Sequence, residues 1–352
     1  MARLLLAQDE IDKSRELWIE KRLKGITASE IAAILGLAPS THGSPFALFT
    51  AKTQGEDWRP DNDAMMRGRY LEPYVADVFS ADHPYLHLMP AGLYCHPDRE
   101  WQLATFDRLA LDTAVRGLPD DLDHTDLAER YEWDADPVQI KTAISKNAGG
   151  GDPLHSWGEP YTSQIPIQYR AQVLWEMDVQ EAERAWVPCL FMQEWKVVTY
   201  LVERDGDAER DMEFMRAAAE EFRRRLRDND PPDVDFTPAT TEALKAVYKY
   251  MDPDLDVPVT RKLARRYLSA RKAVEREERR RDQALNELRR AIGPGRRAVI
   301  EDAGRTHTVV TRSQYPAEYI DVKRLRREQP DIARQYTKKV PVDKMIPGRW
   351  GG

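Results

Sequence analysis

Apolar and polar side chains alternate in a short segment near the middle of the chain. Val138, Ile140 and Thr142 are separated by Gln139 and Lys141, the period-two pattern of a strand with one buried face. The pattern predicts that Gln139 and Lys141 point in the same direction. An oxygen ligand beside an ammonium group suits a metal-dependent phosphodiesterase, because the oxygen can hold a divalent cation and the lysine can steady the attacking water. An amphipathic edge strand has the same pattern.

Helical spacing of apolar residues predicts a helix that carries a carboxylate at the edge of its apolar stripe. Leu71, Val75, Val78 and Phe79 form this stripe, and Glu72 lies beside it. A carboxylate near an apolar core needs a cation, which a bound metal would supply. Farther along, an apolar strand predicted over 101–106 ends at Asp107, and another strand-like run follows.

A turn-rich segment with two prolines, residues 228–233, divides the chain. It should end the helix predicted over 208–227, because proline cannot continue a helix. Beyond it, apolar residues recur at spacings of three and four and predict a helix of about 30 residues from position 261. A hairpin over 297–312 and a helix over 322–336 follow. The predicted domains are therefore residues 1–235 and residues 236–352.

The charge is distributed unevenly between these two parts. The chain of 352 residues has a net charge of -7, but residues 1–235 contain 26 Lys and Arg against 44 Asp and Glu, whereas residues 236–352 contain 27 against 16. If the protein binds DNA, its phosphate contacts must come from local clusters or from the basic second part. The alternative is that the Arg-rich face of 261–290 is a solvated helix surface.

The composition excludes several kinds of site. No apolar run approaches the length of a membrane span, and the apolar part of the N-terminus is too short for a secretion signal, so we expect a cytoplasmic protein. Cys95 and Cys189 are the only cysteines and are expected to be buried, which excludes an iron–sulfur cluster with four cysteine ligands. The glycine-rich loop 145–152 lacks the Lys-Ser/Thr ending of a phosphate loop, so no nucleotide cofactor is expected.

Five motifs occur along the first part of the chain: 21–31 (KRLKGITASEI), 66–73 (MRGRYLEP), 103–109 (LATFDRL), 137–142 (PVQIKT) and 165–172 (IPIQYRAQ). In this order they resemble the YqaJ-type viral recombinase nucleases, relatives of bacteriophage lambda exonuclease in the PD-(D/E)XK superfamily. The resemblance covers roughly residues 18–205. It implies an α/β core with a mixed central sheet flanked by helices, followed by a mainly helical C-terminal domain.

The resemblance also implies an activity and a set of partners. The activity is Mg²⁺-dependent hydrolysis of linear double-stranded DNA from the 5′ end, with Mn²⁺ as a possible substitute, which leaves 3′ single strands for phage-type recombination. Relatives form rings and work beside a single-strand annealing protein, so a homo-oligomer and such a partner are expected in a bacterial host cell.

The family pattern assigns roles to the catalytic positions. Asp107, Gln139, the Ile140 carbonyl and Glu72 would hold the metal, and Lys141 would position the nucleophile. The sequence departs from the family twice, with Phe-Asp-Arg in place of Pro-Asp-Gly and Gln139 in place of the usual glutamate. An amide still offers an oxygen but carries no charge, so a catalytically decayed, end-binding protein is the alternative.

Carboxylates just before the strand, Glu132, Asp134 or Asp136, could replace the missing charge. For DNA binding, the resemblance matches Arg22 and Ser29 to positions that bind the 5′-terminal phosphate, with helix capping as the alternative role of Ser29.

Tyr169 and Gln172 match a Tyr-x-x-Gln motif. They would brace the active site or touch the DNA backbone, or else form a buried polar pair.

The segment 27–37 also fits the first helix of a helix-turn-helix, but residues 38–45 are too rich in helix breakers to supply a recognition helix.

Overall fold

The computed structural model describes residues 2–39, 43–55, 63–113, 134–146, 152–339 and 344–347. The chain divides into two compact units, Met1–Tyr250 and Met251–Gly352. Among the residues described, no helix combines the length and apolar character that a membrane crossing requires. Residues 147–151 of the glycine-rich loop and Glu132 lie outside the described residues.

Four strands of the first unit form a small sheet. They are β1 (Arg3–Ala7), β2 (Ile26–Thr27), β4 (Gly92–Cys95) and β5 (Gln102–Thr105), in the order β1-β4-β5-β2. β2 runs parallel to β5, and the other two pairings are antiparallel. Gly25 precedes β2 because a Cβ atom there would lie 2.4 Å from the Trp101 carbonyl oxygen.

A six-stranded mixed sheet forms the second layer of strands. Its members are β3 (Leu86–Pro90), β6 (Arg108–Asp112), β7 (Asp136–Val138), β8 (Lys141–Ala143), β9 (Arg184–Phe191) and β10 (Lys196–Glu203). The order is β10-β9-β7-β6-β3, and β8 also pairs with β9. The mixed α/β class predicted from the sequence is confirmed. A mixed sheet is present as expected, and the chain passes from the smaller four-stranded sheet to it between β5 and β6.

The strand predicted over 137–142 is interrupted. β7 and β8 both run parallel to β9, with Val138 opposite Trp186 and Lys141 opposite Cys189. Between them the Ile140 amide donates to the Asp107 carboxylate at 2.7 Å instead of joining the strand ladder. Val138 and Ile140 are nevertheless buried in one apolar cluster, as the alternation predicts.

Helices cover these sheets in the first unit. They are α1 (Gln8–Lys13), α2 (Arg15–Leu23), α3 (Ala28–Ile34), α4 (Pro45–Gln54), α5 (Asp63–Asp82), α6 (Ile167–Gln180), α7 (Gly206–Asp228) and α8 (Pro238–Val247). The stripe predicted on α5 buries Val75 and Phe79 fully, at 0% exposure. The largest cluster of buried residues includes the buried apolar residues of α6 and of α7. Cys95 and Cys189 are buried free thiols.

Helix α8 accounts for the difference between the predicted division at residue 235 and the division at residue 250. Its Ala239 and Ala243 are buried with Ala47 of α4. The Thr240 and Ser44 hydroxyls are hydrogen-bonded at 2.7 Å. These contacts join α8 to the first unit, which the turn formers before it do not reveal.

The second unit contains one long helix and a two-stranded hairpin. Helix α9 (Arg261–Ile292) ends at Gly293, whose φ of +54° favours glycine. The hairpin pairs β11 (Arg297–Asp302) with β12 (Arg305–Thr311), and α10 (Val322–Glu328) and α11 (Pro330–Gln335) follow. The long helix and the hairpin agree with the predicted pattern, but the single helix predicted over 322–336 is two helices, because Pro330 cannot continue α10 and starts α11 instead.

Candidate active site

Asp107 lies at the junction of the two sheets, in the turn between β5 and β6. Its Oδ2 atom accepts hydrogen bonds from the Ile140 backbone amide at 2.7 Å and from Gln139 Nε2 at 2.5 Å. The Ile140 amide donates to Asp107 and not to the strand ladder, at the interruption between β7 and β8. The turn and the interrupted strand therefore form one polar site.

Burial raises the pKa of Asp107 from 3.8 to about 6, and the Glu72 charge acts in the same direction. The Lys141 charge and the Ile140 amide oppose this rise in pKa. A carboxyl group that titrates close to neutral pH in a polar site is typical of functional positions.

Gln139 and Lys141 point in a common direction, as the alternation predicts. Gln172 of α6 contacts both, since its Oε1 accepts from Lys141 Nζ at 3.1 Å and its Nε2 donates to Gln139 Oε1 at 3.0 Å. The Gln139 amide is thus held with its nitrogen toward Asp107 and its oxygen toward Gln172. A continuous chain of hydrogen bonds runs from Lys141 to Asp107.

One face of α6 lines this chain of hydrogen bonds. Lys141 Nζ lies 5.1 Å from the centroid of the Tyr169 ring, within the range of a cation–π contact. The Tyr169 ring is packed against Trp157, with the ring centroids 5.6 Å apart. Tyr169 and Gln172 therefore share a helix face and contact the same lysine.

A third residue on this face, Glu176, is missing from the motif-based assignment. Its side chain is completely buried, at 0% exposure, and its Oε1 accepts from Gln172 Nε2 at 2.9 Å. Burial raises the pKa of Glu176 from 4.5 to about 8; the Asp107 charge adds to the rise, whereas the Lys141 charge and the Gln172 hydrogen bond oppose it. A signal for it exists in the sequence: an acidic residue interrupts an apolar run one helical turn after Gln172.

Glu72 is linked to the site by an arginine residue. Its carboxylate pairs with Arg108 at 2.8 Å, and Arg108 also donates to the Asp107 backbone carbonyl. The cation that the sequence led us to expect beside Glu72 is therefore present in the protein as a guanidinium. Arg108 occupies the position where the family pattern has glycine.

Of the acidic residues that precede the strand, Asp136 has defined partners. The Asp136 carboxylate accepts from Arg184 at 2.6 Å and from the Trp186 indole at 3.2 Å. It is engaged in this ion pair at the start of β7. Among the residues described here, no three His, Cys, Asp or Glu side chains group as a metal cluster would require.

Arg22 and Ser29 form a second cluster. Arg22 Nη2 donates to the Ser29 hydroxyl at 2.9 Å and to the Thr27 hydroxyl at 3.1 Å, and its guanidinium lies 4.3 Å from the Trp18 ring centroid. The residue that caps α3 is Thr27, not Ser29, which removes helix capping as the explanation for Ser29. The Arg22 guanidinium and the Ser29 hydroxyl are therefore held in direct contact.

A buried ion pair between Lys52 and Glu30 lies next to this cluster, with Glu30 3.9 Å from Arg22. The buried ammonium of Lys52 lies 3.0 Å from Glu30 and also donates to the Gly25 carbonyl at 2.7 Å. Although burial raises the pKa of Glu30, the charges of Lys52 and Arg22 outweigh that effect and hold the pKa below its usual range. Glu30 therefore stays ionised and fixes the position of α3 beside Arg22.

Comparison with known proteins gives one family match. Residues 17–183 match the model of the YqaJ-like viral recombinase domain. No curated protein matches the chain. Solved structures that resemble it have low sequence identity and cover about three fifths of its length.

Three of these structures are of exonucleases. LHK-Exo in complex with dAMP is 18% identical, covers 61% of this chain and 95% of its own, and has a TM-score of 0.44. The alkaline exonuclease LHK-Exo from Laribacter hongkongensis is 19% identical with the same coverage and a TM-score of 0.43. A phage related exonuclease from Haemophilus somnus is 11% identical, covers 58% of this chain and 96% of its own, and has a TM-score of 0.37.

Proposed function

We propose, from the match of residues 17–183 to the YqaJ-like viral recombinase domain, that the chain is a metal-dependent deoxyribonuclease acting on the ends of linear double-stranded DNA. The proposed reaction is Mg²⁺-dependent hydrolysis in the 5′-to-3′ direction, which leaves 3′ single strands for homologous recombination. The observation that carries the proposal is the hydrogen-bonded chain from Lys141 through Gln172 and Gln139 to Asp107.

The residues of the site fit a hard divalent cation. Asp107, the Gln139 amide, the Ile140 carbonyl and Glu72 offer oxygen atoms, which Mg²⁺ and Mn²⁺ prefer. Beside this group lies a buried carboxyl oxygen of Glu176 that has no hydrogen-bond partner in the described part of the chain. When bound, the cation would lower the pKa of a water molecule and offset the charge that develops on the phosphate.

Lys141 would steady the nucleophile and the developing negative charge. Its ammonium is held by the Gln172 oxygen and the Tyr169 ring, so little reorganisation is needed when substrate enters. Gln172 in turn fixes the Gln139 amide, which is hydrogen-bonded to Asp107. The role of α6 in this proposal is therefore to position the strand residues.

The second cluster is proposed to bind the 5′-terminal phosphate. The Arg22 guanidinium and the Ser29 hydroxyl present donors on one side of α3, and a guanidinium is suited to a phosphate dianion. The basic segment 236–352 is proposed to contact the DNA backbone, because residues 1–235 carry an acidic excess.

The remaining parts of the proposal rest on resemblance to the family. They are a homo-oligomeric assembly, a single-strand annealing protein as partner and a setting in the cytoplasm of a phage-infected or lysogenic bacterium. Each concerns a property of the assembled recombination system.

A second candidate is supported by a specific observation. Gln139 supplies an amide where the family has a carboxylate, and Glu72 is paired with Arg108. These features favour a decayed nuclease that binds DNA ends without cutting them. The two candidates predict the same DNA affinity but different products.

Digestion of linear duplex distinguishes them. The substrate is labelled at either end and carries a 5′-phosphate or a 5′-hydroxyl, and the reaction contains Mg²⁺, Mn²⁺ or EDTA. We expect label loss from the 5′ end with either metal, none in EDTA and none for Lys141→Ala. Binding without cleavage under every metal condition would support the end-binding protein instead.

A further inference from the structure

Glu176 is a buried acid whose environment leaves one oxygen unused. Its side chain is fully buried, Oε1 accepts from Gln172 at 2.9 Å, and Oε2 has no hydrogen-bond partner among the described residues. An unpaired buried carboxylate oxygen is costly, so its retention needs a physical reason. The function proposed above offers one.

A second acid on the same helix shows what a purely structural carboxylate looks like in this fold. Asp178 is 3% exposed, and it contacts Arg216 at 2.7 Å, Arg99 at 3.2 Å and the Gln102 amide at 2.7 Å. Both of its oxygens are therefore neutralised by arginine or amide groups. Glu176 lies two residues earlier and receives one neutral donor instead.

The carboxyl group of Glu176 is directed toward the candidate metal site. Gln172 Nε2 donates to the oxygens of both Glu176 and Gln139, at 2.9 and 3.0 Å, so these two oxygens converge on one nitrogen. The charges of Lys141 and Asp107 both act on Glu176. The acid thus faces the position where an amide replaces the carboxylate expected from the family pattern.

We propose that Glu176 is a metal ligand of this site and supplies from α6 the negative charge that Gln139 lacks. The inference rests on the proposed nuclease function. In metal-free protein the unused oxygen has no partner, and a divalent cation would complete its coordination. With Asp107, the site would then hold two carboxylates together with neutral amide and carbonyl oxygens.

The competing explanation is that Glu176 merely orients Gln172. That role needs an acceptor but no charge, and Glu176→Gln retains an acceptor oxygen of the same reach. The substitution therefore separates the two roles. A metal ligand would lose affinity when its charge is removed, whereas an orienting residue would not.

Binding of Mn²⁺ to the full chain without DNA provides the test, measured by the electron paramagnetic resonance signal of free Mn²⁺. We expect Glu176→Gln to weaken binding about tenfold or more, since ligation by a charged oxygen is lost. The matched control, Asp178→Asn, should melt at a lower temperature than wild type but bind Mn²⁺ equally. Gln139→Glu combined with Glu176→Gln should restore affinity, because it returns one carboxylate to the site.

The outcomes separate this inference from the proposed function. If wild type cleaves DNA and Glu176→Gln binds Mn²⁺ as wild type does, Glu176 is not a ligand, while the nuclease proposal stands. If wild type binds no Mn²⁺ and cleaves nothing, both fall. Should Glu176→Gln fail to fold, Glu176→Met removes the oxygens at similar volume, and unchanged Mn²⁺ affinity in that variant would equally overturn the assignment.

Discussion

The stability of the metal-free protein should depend on pH through Glu176. Its pKa in the folded state is raised from 4.5 to about 8, chiefly by burial. The folded protein therefore holds this proton more tightly than the unfolded chain does. The stability associated with the neutral acid is fully present below pH 4.5 and is lost as the pH rises toward 8.

The size of the effect follows from the shift in pKa. Each unit corresponds to about 1.4 kcal/mol, so the ceiling for Glu176 is about 5 kcal/mol. In EDTA we expect the free energy of unfolding of wild type to fall by several kcal/mol between pH 5 and pH 9. Glu176→Gln cannot ionise at this position, so its profile should be flatter by most of that amount.

Urea unfolding followed by tryptophan fluorescence measures the difference. Eight of the nine tryptophans lie in residues 1–250, so the signal reports on the unit that contains α6. Comparing the two pH profiles cancels the other titrating groups that wild type and variant share. Parallel profiles, differing by less than about 1 kcal/mol across the range, would show that Glu176 does not carry the proton.

Three further predictions concern cleavage and substrate binding. Lys141→Ala should lower duplex hydrolysis about a hundredfold or more with little change in melting temperature, and Asp107→Asn should do the same; wild-type rates in either would refute the site. Arg22→Ala should slow digestion of 5′-phosphorylated duplex about tenfold or more and of 5′-hydroxyl duplex far less, with Lys24→Ala, whose ammonium pairs with Glu20, as the control. Gln139→Glu should lower the Mg²⁺ concentration for half-maximal cleavage and Gln139→Leu should abolish activity, as sizing of labelled products across a Mg²⁺ titration will test.

The alternating pattern predicted the direction of the side chains in segment 137–142 but not whether the strand is continuous. Alternation correctly placed Gln139 and Lys141 on one side, because a pleated backbone sends every second side chain the same way. It could not show that the strand is interrupted at Ile140. That interruption depends on Asp107, which lies on another strand connection and takes the Ile140 amide out of the ladder.

Charge partners were the least predictable feature, because they join residues distant in the chain. The expectation that Glu72 needs a cation was sound, but Arg108 provides one, and only the pairing of α5 with the start of β6 reveals it. Likewise, helix capping was the alternative role for Ser29, but Thr27 occupies the cap position, and the hydroxyls of both residues accept from Arg22. The local sequence pattern specifies which face of a helix or strand a side chain occupies, and the tertiary structure specifies which residues it contacts there.

The same distinction bears on where a carboxylate could replace the one that position 139 lacks. Residues just before the strand are its neighbours in the chain, and Asp136 among them is already held by Arg184. Helix α6 crosses the strand, so Glu176 reaches the Gln139 amide through Gln172 despite its distance in sequence. A metal site requires a set of oxygens and a total charge rather than a fixed order of residues, so a carboxylate on the crossing helix can take the place of one on the strand.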